Sequence, residues 1–155
     1  MSQKSAELVF RSRSEEETLR LAEKLAEGLA GTELILITGE LGAGKTVFVK
    51  GLASGLKVPD VNSVCSPSFT LVNIYEGRAT LFHVDLYRLE DPEEIADLGL
   101  EDYLGNGVVA VEWAEKLPSR IEGAIIIEVA IEVETNESRT IRVKAPDVYL
   151  NLGNE

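Results

Sequence analysis

The chain has 155 residues, 45% of them hydrophobic and 27% charged, which fits a single domain over residues 1–155 around one core. Its 27 acidic and 15 basic residues give a formal charge of −12, and with no clustered Lys/Arg stripe that balance argues against tight binding to nucleic acid or acidic membranes. One cysteine, Cys65, and one histidine, His83, exclude an internal disulfide, a Cys-based zinc site and a His-rich metal centre.

In chain order, residues 7–11 read as a short strand. The apolar run Leu8-Val9-Phe10 is far shorter than the roughly 7–15 residues of a secretory signal core, so a cytoplasmic location is expected. Ser14 and Glu17 form a capping box, and the helix behind them carries Leu19, Ala22, Ala26 and Leu29 on one stripe, with Gly31 as its end. Residues 33–38 are continuous and apolar, as in a strand covered on both faces. A glycine-rich turn and a helix over about 46–56 follow. Residues 68–75 and 79–86 read as two strands of a hairpin turning at Glu76-Gly77-Arg78. Asp91-Pro92-Glu93-Glu94 starts a helix: a cap, a proline in the first turn, then acids at the positive dipole end. Residues 107–111 form another buried strand. A last hairpin joins 124–134 to 139–144 around Thr135-Asn136-Glu137-Ser138. Glu128 interrupts its first strand, which is also far short of the roughly 20 residues of a membrane span.

The turn after the second strand reads Gly39-Glu-Leu-Gly-Ala-Gly-Lys-Thr46, the pattern G-x-x-x-x-G-K-[ST]. Cradling phosphate needs backbone N–H groups that converge on one anion, and glycines let the chain adopt the φ/ψ values this requires. Lys45 would reach the outer phosphates and the Thr46 hydroxyl would ligate Mg²⁺. The following helix adds its positive end. Because the motif lies between a buried strand and a helix, it predicts an α/β, P-loop NTPase-like three-layer domain. The sheet is expected to be mixed and largely parallel, with a C-terminal antiparallel hairpin.

Hydrolysis also needs an acid near the metal, usually at a strand tip. Val108-Val-Ala-Val runs into Glu112, and Phe82-His83-Val84 runs into Asp85, which shares a strand face with His83. Either carboxylate suits the role. Trp113 is expected in the core, and His83 is expected to be a structural strand residue unless Asp85 is functional. Arg88 is expected to pair with Asp91, Glu93 and Glu94. The hydroxyls of Ser66-Pro67-Ser68-Phe69-Thr70 could sense a γ-phosphate in a switch-like loop, but a proline-fixed strand start is the reading the residues alone favour.

Four segments in order, the P-loop at 39–46, Ser-Pro-Ser-Phe-Thr-Leu-Val at 66–72, His-Val-Asp-Leu-Tyr-Arg at 83–88 and Val-Glu-Trp at 111–113, together resemble the TsaE (YjeE) family across nearly the whole chain. The resemblance implies a weak ATPase that uses ATP and Mg²⁺, supports threonylcarbamoyladenosine modification of tRNA and docks on the TsaB–TsaD complex. It places Leu41, Gly42, Ala43, Gly44, Lys45 and Thr46 on the phosphates and Thr46 with Glu112 on Mg²⁺. It has Asp85 orienting or activating water, or lying behind the metal ligands, with Lys45 as its catalytic partner. It puts Glu15 and Arg139 near the adenine. Ser68 and Ala114 depart from the family's usual Thr and Pro. Two other classes share the P-loop: a small-molecule kinase, for which no Arg-rich lid segment is found, and a non-hydrolysing nucleotide-gated interaction protein. A GTPase lacks its Asn-Lys-x-Asp guanine reader here.

Overall fold

Seven strands build one mixed sheet in the order β1-β7-β6-β2-β5-β4-β3. In chain order the elements are β1 (Ser5–Ser12), α1 (Glu15–Glu27), β2 (Leu34–Gly39), α2 (Lys45–Gly55), β3 (Val72–Glu76), β4 (Thr80–Asp85), α3 (Pro92–Ala96), β5 (Val108–Glu112), β6 (Ile126–Val133) and β7 (Arg139–Pro146). The computed structural model describes residues 4–67, 71–118 and 121–152. The central strands β6, β2, β5 and β4 run parallel, whereas β3 at one rim and β7 and β1 at the other are antiparallel to their neighbours. The predicted C-terminal hairpin is therefore present, as β6–β7. The chain leaves β5 on one side of β2 and returns as β6 on the other, which puts a crevice at the carboxyl end of β2.

Alternation along β2 divides the core. Ile35 and Ile37 join Leu25, Phe48 and Leu52 under α1 and α2, while Leu34 joins Val84, Val109, Val111, Ile95 and Leu100 on the opposite face. Both faces of the central strands are thus covered, which is why they read as unbroken apolar runs. No helix among the described residues is long and apolar enough to cross a membrane.

Helix α1 starts as expected: the Ser14 hydroxyl accepts from the Glu17 N–H at 3.1 Å. Its buried stripe differs, consisting of Thr18, Leu21, Ala22, Leu25 and Ala26, with Leu19 only half-buried. The helix also stops earlier, at a Gly28 cap whose N–H reaches the carbonyls of Leu25 and Ala26; Gly31 lies in the following loop. What selects this face is α2. A Cβ on Gly51 would lie 2.6 Å from the Ala22 Cβ and 2.3 Å from the Leu19 carbonyl oxygen, and one on Gly55 would lie 2.6 Å from the Ala26 Cβ. Two glycines facing two alanines, each pair four residues apart, bring the helix backbones into contact. Leu29, placed on the helix by its periodicity, is buried just beyond the end.

The strand expected over 68–75 is β3 from Val72; residues 68–70 lie outside the described residues. Glu33, expected to begin β2, instead ties the loop before it. Its carboxylate is fully buried and accepts the N–H groups of Ala30 at 2.7 Å, Gly31 at 2.9 Å and Thr32 at 3.0 Å, together with the Tyr149 hydroxyl at 2.7 Å. Burial pushes its pKa up, but the hydrogen bonds from Ala30, Gly31 and Tyr149 outweigh that, and the net direction is below the ordinary carboxylate value. Burial and the bond to Glu33 push the Tyr149 hydroxyl up to about 12.

Candidate functional site

Strand β2 ends at Gly39, where φ is +152° and a Cβ would lie 2.7 Å from the Ile131 carbonyl oxygen on β6. Only glycine fits this point, where the turn leaves the sheet. Gly42 and Gly44 also have positive φ, yet a Cβ on either would meet nothing within 4 Å. The cradle is open on that side, as a phosphate would require. Helix α2 begins at Lys45, so its free N–H groups face the same space.

Lys45 is buried at 4% exposure. Its Nζ donates to the carbonyls of Gly39 at 2.6 Å and Glu40 at 2.8 Å and sits 4.1 Å from the centre of the Trp113 ring. Burial lowers its pKa from the ordinary lysine value, against the opposing pull of the Glu112, Glu115, Asp85 and Glu40 carboxylates. The next residue, Thr46, donates its hydroxyl to both oxygens of Glu112, at 3.1 and 3.0 Å. Glu112 ends β5, next to β2, in register with Asp85 at the end of β4. Two parallel strands thus deliver two carboxylates beside the loop. Asp85 accepts the Ser66 hydroxyl on Oδ2 and the Tyr87 N–H on Oδ1 at 2.9 Å.

Two clefts, each about 360 Å³, meet across the P-loop. One holds Leu41, Lys45, Thr46, Asp85, Glu112 and Trp113. The other runs between the start of α1 and the β6–β7 turn, lined by Ser14, Thr18, Ala43, Asn136 and Arg139. Glu15, Gly42, Gly44 and Val47 line both. The residues that the resemblance assigns to phosphate, metal, water and adenine, Glu15 and Arg139 included, therefore border one continuous crevice. The donors of Arg139 are already engaged, however: Nε binds the Ala43 carbonyl at 2.8 Å, Nη2 that of Gly42 at 3.2 Å, and Nη1 that of Thr135 at 2.8 Å. The guanidinium braces the P-loop against the hairpin turn. Of the Ser66–Thr70 hydroxyls, that of Ser66 is bonded to Asp85; Ser68 and Thr70 lie outside the described residues.

Trp113 packs against the rim of the second core cluster without being enclosed by it. It is half-buried, stands at φ +61° and ψ +41°, and packs on Tyr87 with ring centres 5.1 Å apart. A tryptophan in left-handed backbone costs roughly 1–3 kcal/mol, and here that conformation lays the indole beside the Lys45 ammonium. His83 is fully buried, and its Nε2 lies 2.6 Å from Glu112 Oε2. Each carried one hint at the level of sequence: a tryptophan directly after the strand-tip acid, and a histidine in step with Asp85.

The donor set fits a hard divalent cation shared with phosphate. Mg²⁺ takes one or two protein oxygens and completes its shell with phosphate and water, and Thr46 and Glu112 present such oxygens at the mouth of the cradle. Among the described residues no cluster of three or more His, Cys, Asp or Glu side chains is placed to form an all-protein metal cage.

Residues 12–141, which include every side chain of this crevice, match the family model described as Threonylcarbamoyl adenosine biosynthesis protein TsaE. The chain belongs to the TsaE family. The tRNA threonylcarbamoyladenosine biosynthesis protein TsaE of Aquifex aeolicus is 43% identical over 131 residues, covering 84% of this chain and 90% of that protein. Its namesake from Treponema pallidum is 37% identical over 132 residues, 84% and 96% of the two chains. The crystal structure of Bacillus subtilis YdiB superposes with a TM-score of 0.70 at 31% identity, covering 97% of this chain and 94% of that one. This TsaE-family chain places a hydroxyl, two strand-tip carboxylates and a buried lysine around one glycine-rich turn.

Proposed function

We propose that the chain is a Mg²⁺-dependent P-loop ATPase of the cytoplasm that supports threonylcarbamoyladenosine modification of tRNA by docking on the TsaB–TsaD complex and cycling it through ATP binding and hydrolysis. The observation that carries this proposal is the Thr46–Glu112 hydrogen bond beneath the open face of the cradle. Mg²⁺ bound with the nucleotide would neutralise charge on the outer phosphates. The amides from Leu41 to Thr46 bind the phosphate oxygens. Lys45 leaves the Gly39 and Glu40 carbonyls, which hold its charge in reserve, and turns to the phosphates. Asp85, aimed by Ser66 and Tyr87, accepts a hydrogen bond from the attacking water and orients it. Glu15 and the face of Arg139 border the nucleoside end. The relatives' name ties them to modification of tRNA, and the −12 charge supports action on a protein complex in preference to gripping tRNA.

The test is phosphate release from Mg·ATP with and without TsaB–TsaD. Turnover should rise with the complex and fall on Glu112→Ala or Asp85→Ala. Equal turnover in wild type and Glu112→Ala, or phosphate appearing on a small-molecule acceptor in place of water, would refute the proposal.

A further inference from the structure

Among the described residues the Glu112 carboxylate takes hydrogen bonds from two side chains: the Thr46 hydroxyl and the His83 ring. A carboxylate only accepts, so His83 Nε2 carries the proton in this contact. The ring is fully buried on β4, paired with Asn73 of β3 and Ala110 of β5. Its other nitrogen, Nδ1, is buried with no hydrogen-bond partner among the described residues; the ring beside it, Tyr75, lies 6.5 Å away between centres.

An imidazole chosen only to fill this space is a poor choice. An apolar side chain of similar size would pack there without leaving a nitrogen unpaired in the interior, and such unpaired buried groups are rare and costly. The one thing the imidazole does that an apolar side chain cannot is hold Glu112 Oε2. Without that bond, Thr46 alone would fix the carboxylate, and Thr46 is itself to turn lone pairs toward a metal. We infer that His83 is a positioning residue which locks the Glu112 carboxylate in the orientation that receives Mg²⁺ at the P-loop. The inference rests on the proposed Mg²⁺–nucleotide site and adds a residue behind the metal ligands to it. Partners of this kind set the orientation and basicity of the ligand they touch.

The experiment compares His83→Gln, His83→Asn and His83→Leu. A glutamine amide nitrogen falls near the position of Nε2 and can reach Glu112; an asparagine nitrogen falls near Nδ1 and cannot. ADP binding is measured by calorimetry across a Mg²⁺ series and in EDTA, with a melting curve for each variant. We expect the Mg²⁺ concentration for half-maximal tightening to rise about tenfold or more in His83→Asn and His83→Leu. His83→Gln should stay within about threefold of wild type by the same reasoning, and ADP affinity in EDTA should be unchanged in all three. If His83→Leu fails to fold, the Gln–Asn pair decides. A wild-type Mg²⁺ series in His83→Asn, a Gln variant as impaired as Asn, or an equal loss with and without Mg²⁺ would overturn the inference. If wild type itself shows no Mg²⁺-dependent tightening, the proposed function fails first, and that appears in the wild-type series alone.

Discussion

Glu33→Gln removes one acceptor from a buried carboxylate that serves four donors, two on each oxygen. Oε2 takes the Ala30 N–H and the Tyr149 hydroxyl, and Oε1 takes the Gly31 and Thr32 N–H groups. Whichever way a glutamine amide turns, its NH₂ faces two donors that then have no acceptor. An orphaned donor costs about 1–3 kcal/mol when buried; only the Gly31 bond is fully buried, those of Ala30, Thr32 and Tyr149 being part-buried, so the substitution costs roughly 2–4 kcal/mol if the loop does not rearrange. For a domain of this size about 2–4 °C of Tm is lost per kcal/mol, which gives a fall on the order of 4–16 °C. Tyr149→Phe deletes a single bond and leaves Oε2 with the Ala30 N–H, for about 1–2 kcal/mol. The assay is thermal melting of both single variants and the double variant at neutral pH, with coupling read from the cycle. A Glu33→Gln protein melting within about 2 °C of wild type would show that the loop does not depend on this carboxylate, against the cost assigned above.

Two further outcomes are expected. The pKa of Glu33 is lowered in the fold from its ordinary 4.5, so its stabilisation is complete above 4.5 and is lost as pH falls through the folded value. That of Tyr149 is raised to about 12, so its contribution is complete below the ordinary 10 and is lost as pH rises through 12. Urea titrations across both ranges should show each slope vanish in the matching Gln or Phe variant. Arg139→Ala releases the Gly42 and Ala43 carbonyls and should weaken ADP and inorganic tripolyphosphate alike, by roughly tenfold for one lost charge-assisted contact pair. Arg139→Lys should not restore binding, because an ammonium cannot reproduce the fork. Calorimetry that finds tripolyphosphate binding intact while ADP binding is lost would show that Arg139 acts at the nucleoside end alone and that its bonds to the Gly42 and Ala43 carbonyls do not shape the cradle.

Legibility in the sequence followed the range of the interactions. The P-loop was readable because the motif states its own geometry, and β2 and β5 because strands covered on both faces leave continuous apolar runs. The Ser14–Glu17 cap was readable because its partners lie three residues apart. The buried face of α1 was not. Leu19 and Leu21 both fit a helical period, and the choice falls to Gly51 and Gly55 on α2, which accept only Ala22 and Ala26 at backbone contact. Glu33 reads from the sequence as the first residue of a strand because Tyr149, which helps to hold it in the loop, lies 116 positions away. Trp113 looked like core because nothing local announces a left-handed backbone at a non-glycine residue. Its place beside Lys45 follows from where β5 ends relative to the P-loop. For Asp85 and Glu112 the sequence supplied the strand tips, and the pairing of β4 with β5 put the two in register.

The central claim is an anion cradle over residues 39–46 that takes a nucleotide's phosphates and is completed by the Lys45 ammonium. Calorimetric titration of the folded chain with Mg·ADP and Mg·ATP, beside Lys45→Ala, tests it most directly. Wild type should give saturable one-site heat. Losing the lysine's charge-assisted bonds, at about 1.5–3 kcal/mol, should weaken the variant by roughly 10- to 150-fold. Absence of heat in wild type, or equal affinity in the variant, would contradict the account.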